Sequence, residues 1–198
     1  MNYNVFKYFR LTSWIIASLL LGGCVSSSQQ IDNYYLIEST ATTSTVNSDK
    51  KIILSPIELS DYLKSINLHV RSDESEIIYS ATDFWAEQPA KMLWRFMAQN
   101  LQTQTGHHVL TSYDNTKNSC AQIRVRINEL SPGINGDIVS SGRWFISKGE
   151  QELDTNTFIF NSKLKSDGYI AANKVFASHL NDLSANLVQQ LSRLSLCQ

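Results

Sequence analysis

The feature that most limits the fold of this chain is a change of hydrophobic period that occurs twice. Over much of its length apolar residues recur at every second position. Ile123, Val125 and Ile127 alternate with Arg124 and Arg126, which describes a strand with one covered and one polar face. Between residues 82 and 106 the period lengthens. Leu93, Phe96, Met97, Asn100 and Leu101 fall on one stripe, which predicts a helix from about residue 87 to residue 104. Pro89 suits its first turn, Asp83 is a candidate cap, and Gly106 is placed to end it. A second stripe, Phe176, Leu180, Leu183, Leu187, Leu191 and Leu194, predicts a longer helix from about 170 to 194. Its single seam fits packing against a sheet better than a coiled coil, because fewer than four heptads are present.

The strand-like runs are Asn33 to Glu38, Lys50 to Glu58, Ile66 to Arg71, Glu76 to Tyr79, His107 to Ser112, Ala121 to Leu130, Asp137 to Lys148 and Thr157 to Leu164. In the third, Ile66, Leu68 and Val70 are expected inward, with Asn67, His69 and Arg71 outward. Pro56 places the end of the second run at an edge or terminus. Ser39 to Asp49 reads as an exposed loop, and residues 148–156 as a polar turn. Short polar turns join most runs, so the expectation is an α+β fold: a mostly antiparallel sheet of about eight strands, covered in two layers by two amphipathic helices.

The N-terminus stands apart. Met1 to Arg10 carries Lys7 and Arg10 and no acid, and Leu11 to Leu21 is apolar apart from Thr12, Ser13 and Ser18. A basic segment, a short apolar run and small residues make a secretory signal. The run is shorter than the roughly 20 apolar residues a spanning helix needs. Its end, Leu21-Gly22-Gly23-Cys24, resembles the lipobox of bacterial lipoproteins. There the cysteine thiol accepts a diacylglycerol and becomes the new N-terminus after cleavage. The reading is therefore a signal peptide over 1–23, a lipidated tether over 24–33 and one periplasmic domain over 34–198, with Cys24 the lipidation site and the membrane reached through that anchor. Val25 stands where an aspartate usually signals inner-membrane retention, which favours the outer membrane.

Removal of Lys7 and Arg10 takes the net charge from −1 to −3. So mild a charge gives no footprint for nucleic acid. Of the three cysteines, Cys120 and Cys197 remain once Cys24 is acylated. In an oxidising compartment they are a candidate disulfide; two buried free thiols are the other reading.

Catalytic and cofactor templates fail. His107 and His108 are adjacent and point to opposite faces of a strand. His69 and His179 are single, and His179 reads as a boundary histidine on the long helix. No serine lies in a G-x-S-x-G elbow, no glycine-rich phosphate loop occurs, and no cysteine pair has metal spacing. Asp83 and Glu87 are explained better by helix capping and dipole than by acid–base work. No enzyme and no cofactor is expected beyond the covalent lipid on Cys24. If the domain binds a protein, exposed aromatics should carry much of the energy. Trp85 and Trp144 are the partner-binding candidates, with burial in the core the competing reading.

The order of these pieces resembles a family. Tyr34-Tyr35-Leu36 follows the lipobox, then Ile52 to Pro56, then Asp61-Tyr62-Leu63. Next comes Phe84-Trp85-Ala86-Glu87-Gln88-Pro89, then a helix ending in Asn100-Leu101 and a long closing helix. This resembles the ABC-type transport auxiliary lipoproteins, the PqiC-like family, over nearly the whole mature chain. Gln88 is inserted where the family pattern often runs Trp-Ala-Glu-Pro. The resemblance implies a non-enzymatic outer-membrane subunit of a membrane-integrity transport system. Its partner would be an MCE-domain protein whose bridge it docks, with phospholipid or another hydrophobic molecule as cargo. It also implies a possible homo-oligomer and a contact role for Glu87. Two other readings remain: an envelope lipoprotein that itself binds hydrophobic cargo, and an assembly chaperone or inhibitor of another periplasmic protein.

Overall fold

The computed structural model describes residues 30–41, 46, 48–114 and 119–197. Cys24 and the signal-like stretch lie outside the described residues. Residues 32–198 form one compact unit, with the elements β1 (Asn33–Tyr35), β2 (Ser48–Leu54), β3 (Glu58–Leu59), a 3₁₀ turn (Asp61–Lys64), β4 (Asn67–Arg71), β5 (Ile77–Trp85), α1 (Pro89–Thr105), β6 (His107–Leu110), β7 (Ser119–Pro132), β8 (Asp137–Lys148), β9 (Gln151–Lys163) and α2 (Tyr169–Arg193). The class is the expected α+β, with two helices on a mostly antiparallel framework. The strands form two sheets, however, of order β1-β5-β4 and β6-β2-β7-β8-β9, with β3 also on β7.

The long ladders, β7 with β8 and β8 with β9, are antiparallel. Strand β2 is different, because it runs parallel to both β6 and β7. Its apolar run explains why. Ile52, Ile53 and Leu54 are 0, 2 and 0 % exposed, so the strand is covered on both faces, and strands of that kind read as continuous apolar runs. Ile52 and Leu54 join the main core. Pro56 has no N–H to give to a ladder, and it sits in the gap between β2 and β3. Pairing with β7 resumes at Glu58 opposite Arg126. The Leu54 carbonyl is taken by the indole N–H of Trp94, at 2.9 Å.

Both helices bury the predicted stripes. Met92, Leu93, Phe96, Met97 and Leu101 of α1 meet Phe176, Leu180, Leu183, Leu187 and Leu191 of α2 in one core with Ile123, Val125, Ile127, Ile138 and Ile146 of the large sheet. Gly106 closes α1 at φ +68°, and its N–H binds the Gln102 carbonyl, the left-handed ending that favours glycine.

Several boundaries differ from expectation. Strand β5 continues to Trp85, and α1 starts at Pro89 after an N-cap, Gln88, whose side chain makes no capping bond. Asp83 is therefore a strand residue and not a cap. Strand β9 begins at Gln151, because residues 151–156 pair with β8 although all their side chains except Leu153 are polar. His69 faces inward. An irregularity in the β4–β5 register between Asn67 and His69 puts Leu68 and His69 both in buried positions, while Ile66 is left exposed.

Cys120 and Cys197 form a disulfide with Cα atoms 5.2 Å apart. The Nε2–H of His107 donates to the Cys197 carbonyl at 2.7 Å. The end of the chain is thus fixed to β7 and β6 together. Breaking the bridge by Cys120→Ser with Cys197→Ser should lower stability in urea by about 4 kcal/mol, given a sequence separation of 77. Gly142 is a second sensitive point. A Cβ there would lie 2.1 Å from the Arg126 carbonyl oxygen and 2.7 Å from the Phe158 ring. Gly142→Ala should therefore cost about 3 kcal/mol in the same denaturation experiment.

Candidate functional site

Strand β1 is three residues long, and a single carboxylate holds it. It runs parallel to β5, with Asn33 opposite Asp83 and Tyr35 opposite Trp85. The Tyr35 hydroxyl donates to Asp83 Oδ1 at 3.0 Å, and the Asn33 amide donates to the same atom at 3.2 Å. The hydroxyls of Ser80 and Thr82 donate to Oδ2 at 2.7 and 3.2 Å. Burial raises the Asp83 pKa, but these four donors outweigh it and hold the carboxyl below its ordinary value. The same carboxylate, after burial, helps raise the Tyr35 and Tyr169 phenols. Tyr169, at the start of α2, lies edge-on to Tyr35 with ring centroids 5.8 Å apart.

The segment after β1 is fastened to α1. The Ile37 N–H points at Met92 Sδ, 3.3 Å away; Gln99 donates to the Ala41 carbonyl and Asn100 to Ser39 Oγ. The first part of the Ser39–Asp49 stretch is therefore tied down. Between this segment and the N-terminal half of α2 lies an open groove of about 760 Å³. Tyr34 and Leu36 line one wall, and Ile170, Asn173, Lys174 and Ala177 the other. Tyr34, Leu36 and Ile170 are 64, 39 and 65 % exposed. Asn173 is buried, and its Oδ1 has no hydrogen-bond partner. No residue type in this groove announces itself in sequence; the available signal was the Tyr34-Tyr35-Leu36 run.

The groove does not include the predicted partner-binding residues. Trp85 is 7 % and Trp144 3 % exposed, and both belong to the main core. Neither offers an aromatic surface. Trp85 ends β5, and Trp144 sits on the covered side of β8, in register with Val125. Glu87, just before α1, is half-buried and forms an ion pair with Arg95 of that helix, eight residues on.

His69 and His179 are built into the fold. His69 is enclosed by the rings of Tyr62 and Tyr79, with centroids at 5.4 and 6.0 Å. Its Nε2 lies 2.9 Å from Ser131 Oγ. His179 lies on Phe160, with Nδ1 2.8 Å from Ser140 Oγ and Nε2 2.8 Å from Ser162 Oγ. One ring nitrogen donates and the other accepts, so the neutral ring satisfies both serines. This corrects its reading as a boundary residue, for it joins α2 to β8 and β9 inside the fold. Among the described residues no group of three His, Cys, Asp or Glu side chains could hold a metal ion. No described helix is long and apolar enough to cross a membrane.

Comparison with known proteins addresses the identity of this fold. The family model for the ABC-type transport auxiliary lipoprotein component matches residues 34–190. The chain belongs to that family. It is a family of transport components, which is not an enzyme class. The fold is shared with two crystal structures. One is of an uncharacterized protein, with TM-score 0.71 and 20 % identity, covering 81 % of this chain and 99 % of the other. The second is of a Xanthomonas campestris protein of family DUF330, with TM-score 0.64 and 13 % identity, again covering 81 and 99 %. A comparison with curated protein sequences gives no match.

Burial pushes the His69 pKa from 6.5 down to about 4. Burial also lowers that of His179, against the opposing charge of Asp182. The unfolded chain thus takes up protons near pH 6.5, which the folded chain refuses until the pH is lower. The stability these rings contribute is full above about pH 6.5 and is lost as the pH falls toward 4. His69 should account for up to roughly 3 kcal/mol of that loss. Thermal melting between pH 7.5 and 4.5 should show a falling midpoint, with a shallower fall in His69→Gln.

Proposed function

We propose that this auxiliary lipoprotein is a non-enzymatic, outer-membrane subunit of an MCE-type intermembrane transport system. Residues 1–23 are removed, Cys24 carries the lipid, residues 24–33 form the tether, and residues 34–198 face the periplasm. There the domain docks an MCE-domain bridge that moves hydrophobic molecules between the two membranes. It acts as a single copy or as a homo-oligomer.

The observation that carries this reading is the family match over residues 34–190, since that family supplies a part to a transporter and not a reaction. The lipobox-like Leu21-Gly22-Gly23-Cys24 and Val25 support the outer-membrane part of the reading. Two or more acyl chains on Cys24 would anchor the protein stably, where a single chain binds only marginally. The geometry agrees with a docking role. His69 and Asp83 are held by hydrogen bonds within the fold, and the open groove beside β1 has an apolar rim.

The test is a mild-detergent purification of the tagged lipoprotein from native membranes, with mass spectrometry of what accompanies it. An MCE-domain protein is expected in constant proportion, and should disappear when its gene is deleted. Recovery of the lipoprotein alone, under conditions that preserve other envelope complexes, would remove the transport reading.

A further inference from the structure

We propose that the groove between β1 and the N-terminal half of α2 is the face that rests on the bilayer, with an anionic phospholipid surface as its occupant. This inference rests on the lipidation of Cys24 proposed above.

Chain length supplies the first argument. Asn33 follows Cys24 by nine residues, and nine extended residues span at most about 30 Å. The tether therefore delivers the domain to the membrane by β1, and β1 is the groove's own wall. The face within shortest reach of the lipid is the one with Tyr34 and Leu36 on it.

The side chains supply the second argument. Tyr34, Leu36 and Ile170 are large, apolar and exposed, and they line one groove. A tyrosine with an apolar ring and a polar tip is suited to headgroup level, and neighbouring aliphatic side chains to the acyl boundary below it. Lys174 lies in the same groove, and Lys163 and Lys165 line the adjoining surface around Ile170. The acids on these surfaces are Glu38 and Asp167, and Lys163 is engaged by Asp137. The lysines suit an anionic lipid surface, and their long stems can lie along the apolar rim while the ammonium groups reach phosphates.

The test uses the full lipoprotein purified from its native membranes and reconstituted into vesicles of phosphatidylethanolamine and phosphatidylglycerol. A polarity-sensitive fluorescent amino acid is installed at position 170, or in a second protein at 159. Ile159 is a suitable control because it is 68 % exposed on β9 and outside the groove. Spin-labelled lipids should quench position 170 roughly fivefold more than position 159, as expected for a side chain at the acyl boundary. Flotation and intact mass report the anchor in the same sample. An acylated protein that floats but is quenched equally at both positions overturns the membrane-facing assignment alone. A protein that neither floats nor carries acyl mass overturns the lipidation of Cys24, and this assignment with it. Position 170 becoming shielded only when a protein partner is added would make the groove a protein interface and would also overturn the proposal.

Discussion

The structure depends on the burial of one short strand from both sides. Ile52, Ile53 and Leu54 leave no exposed face on β2, so its backbone can be satisfied only by strands on both edges and its side chains only by cover above and below. Parallel neighbours meet the first demand, β6 on one edge and β7 on the other. A parallel partner requires a crossover, and the chain between β2 and β6 makes one that contains β4 and β5 of the small sheet and α1. The helix that covers β2 is therefore delivered by the same connection that supplies its neighbour. Trp94 of that helix closes the ladder by taking the Leu54 carbonyl just before Pro56 interrupts it.

One polar cluster joins the small sheet to the rest, and a second fastens β1 to β5 within it. Around His69, the Tyr62 hydroxyl donates to the Asn128 carbonyl, the Tyr79 hydroxyl to the Tyr62 carbonyl, and Arg71 pairs with Glu129 at 2.9 Å. Around Asp83, four donors converge on one carboxylate. Both clusters lie at the interior margin, where a hydrogen bond is stronger than in water and an unmade one more costly. They fix where β1 and β4 lie, and β1 is one wall of the groove.

Much of this was legible in the residues. Both helical stripes are buried as their spacing required, because a period between three and four admits only one covered face. The alternation in β7 gave the covered and open sides of the large sheet without error. Pro56 marked the break in pairing, and Gly106 the end of α1. What escaped was decided by pairing between distant segments. The start of β9 reads as a turn because five of its six residues are polar, yet β8 pairs with it across a register shift beside Leu153. His69 alternates outward on paper, and an irregularity in the ladder turns it inward. Trp85 and Trp144 carry the same residue letter whether they face a partner or the core, and only the register of β5 and β8 buried them.

The sequence by itself determined the class of fold, the two helices, the signal-like leader with its cysteine, and the family to which the chain belongs. Each of these is written in local order and spacing, which physics reads within one element at a time. The tertiary structure decided the parallel pairing of β2, the division into two sheets, the seating of His69 and His179, and the groove between β1 and α2. All of these require residues dozens of positions apart to share one hydrogen-bond ladder or one cavity wall. Composition and period carry no information about which distant partner supplies the missing donor or covers the second face.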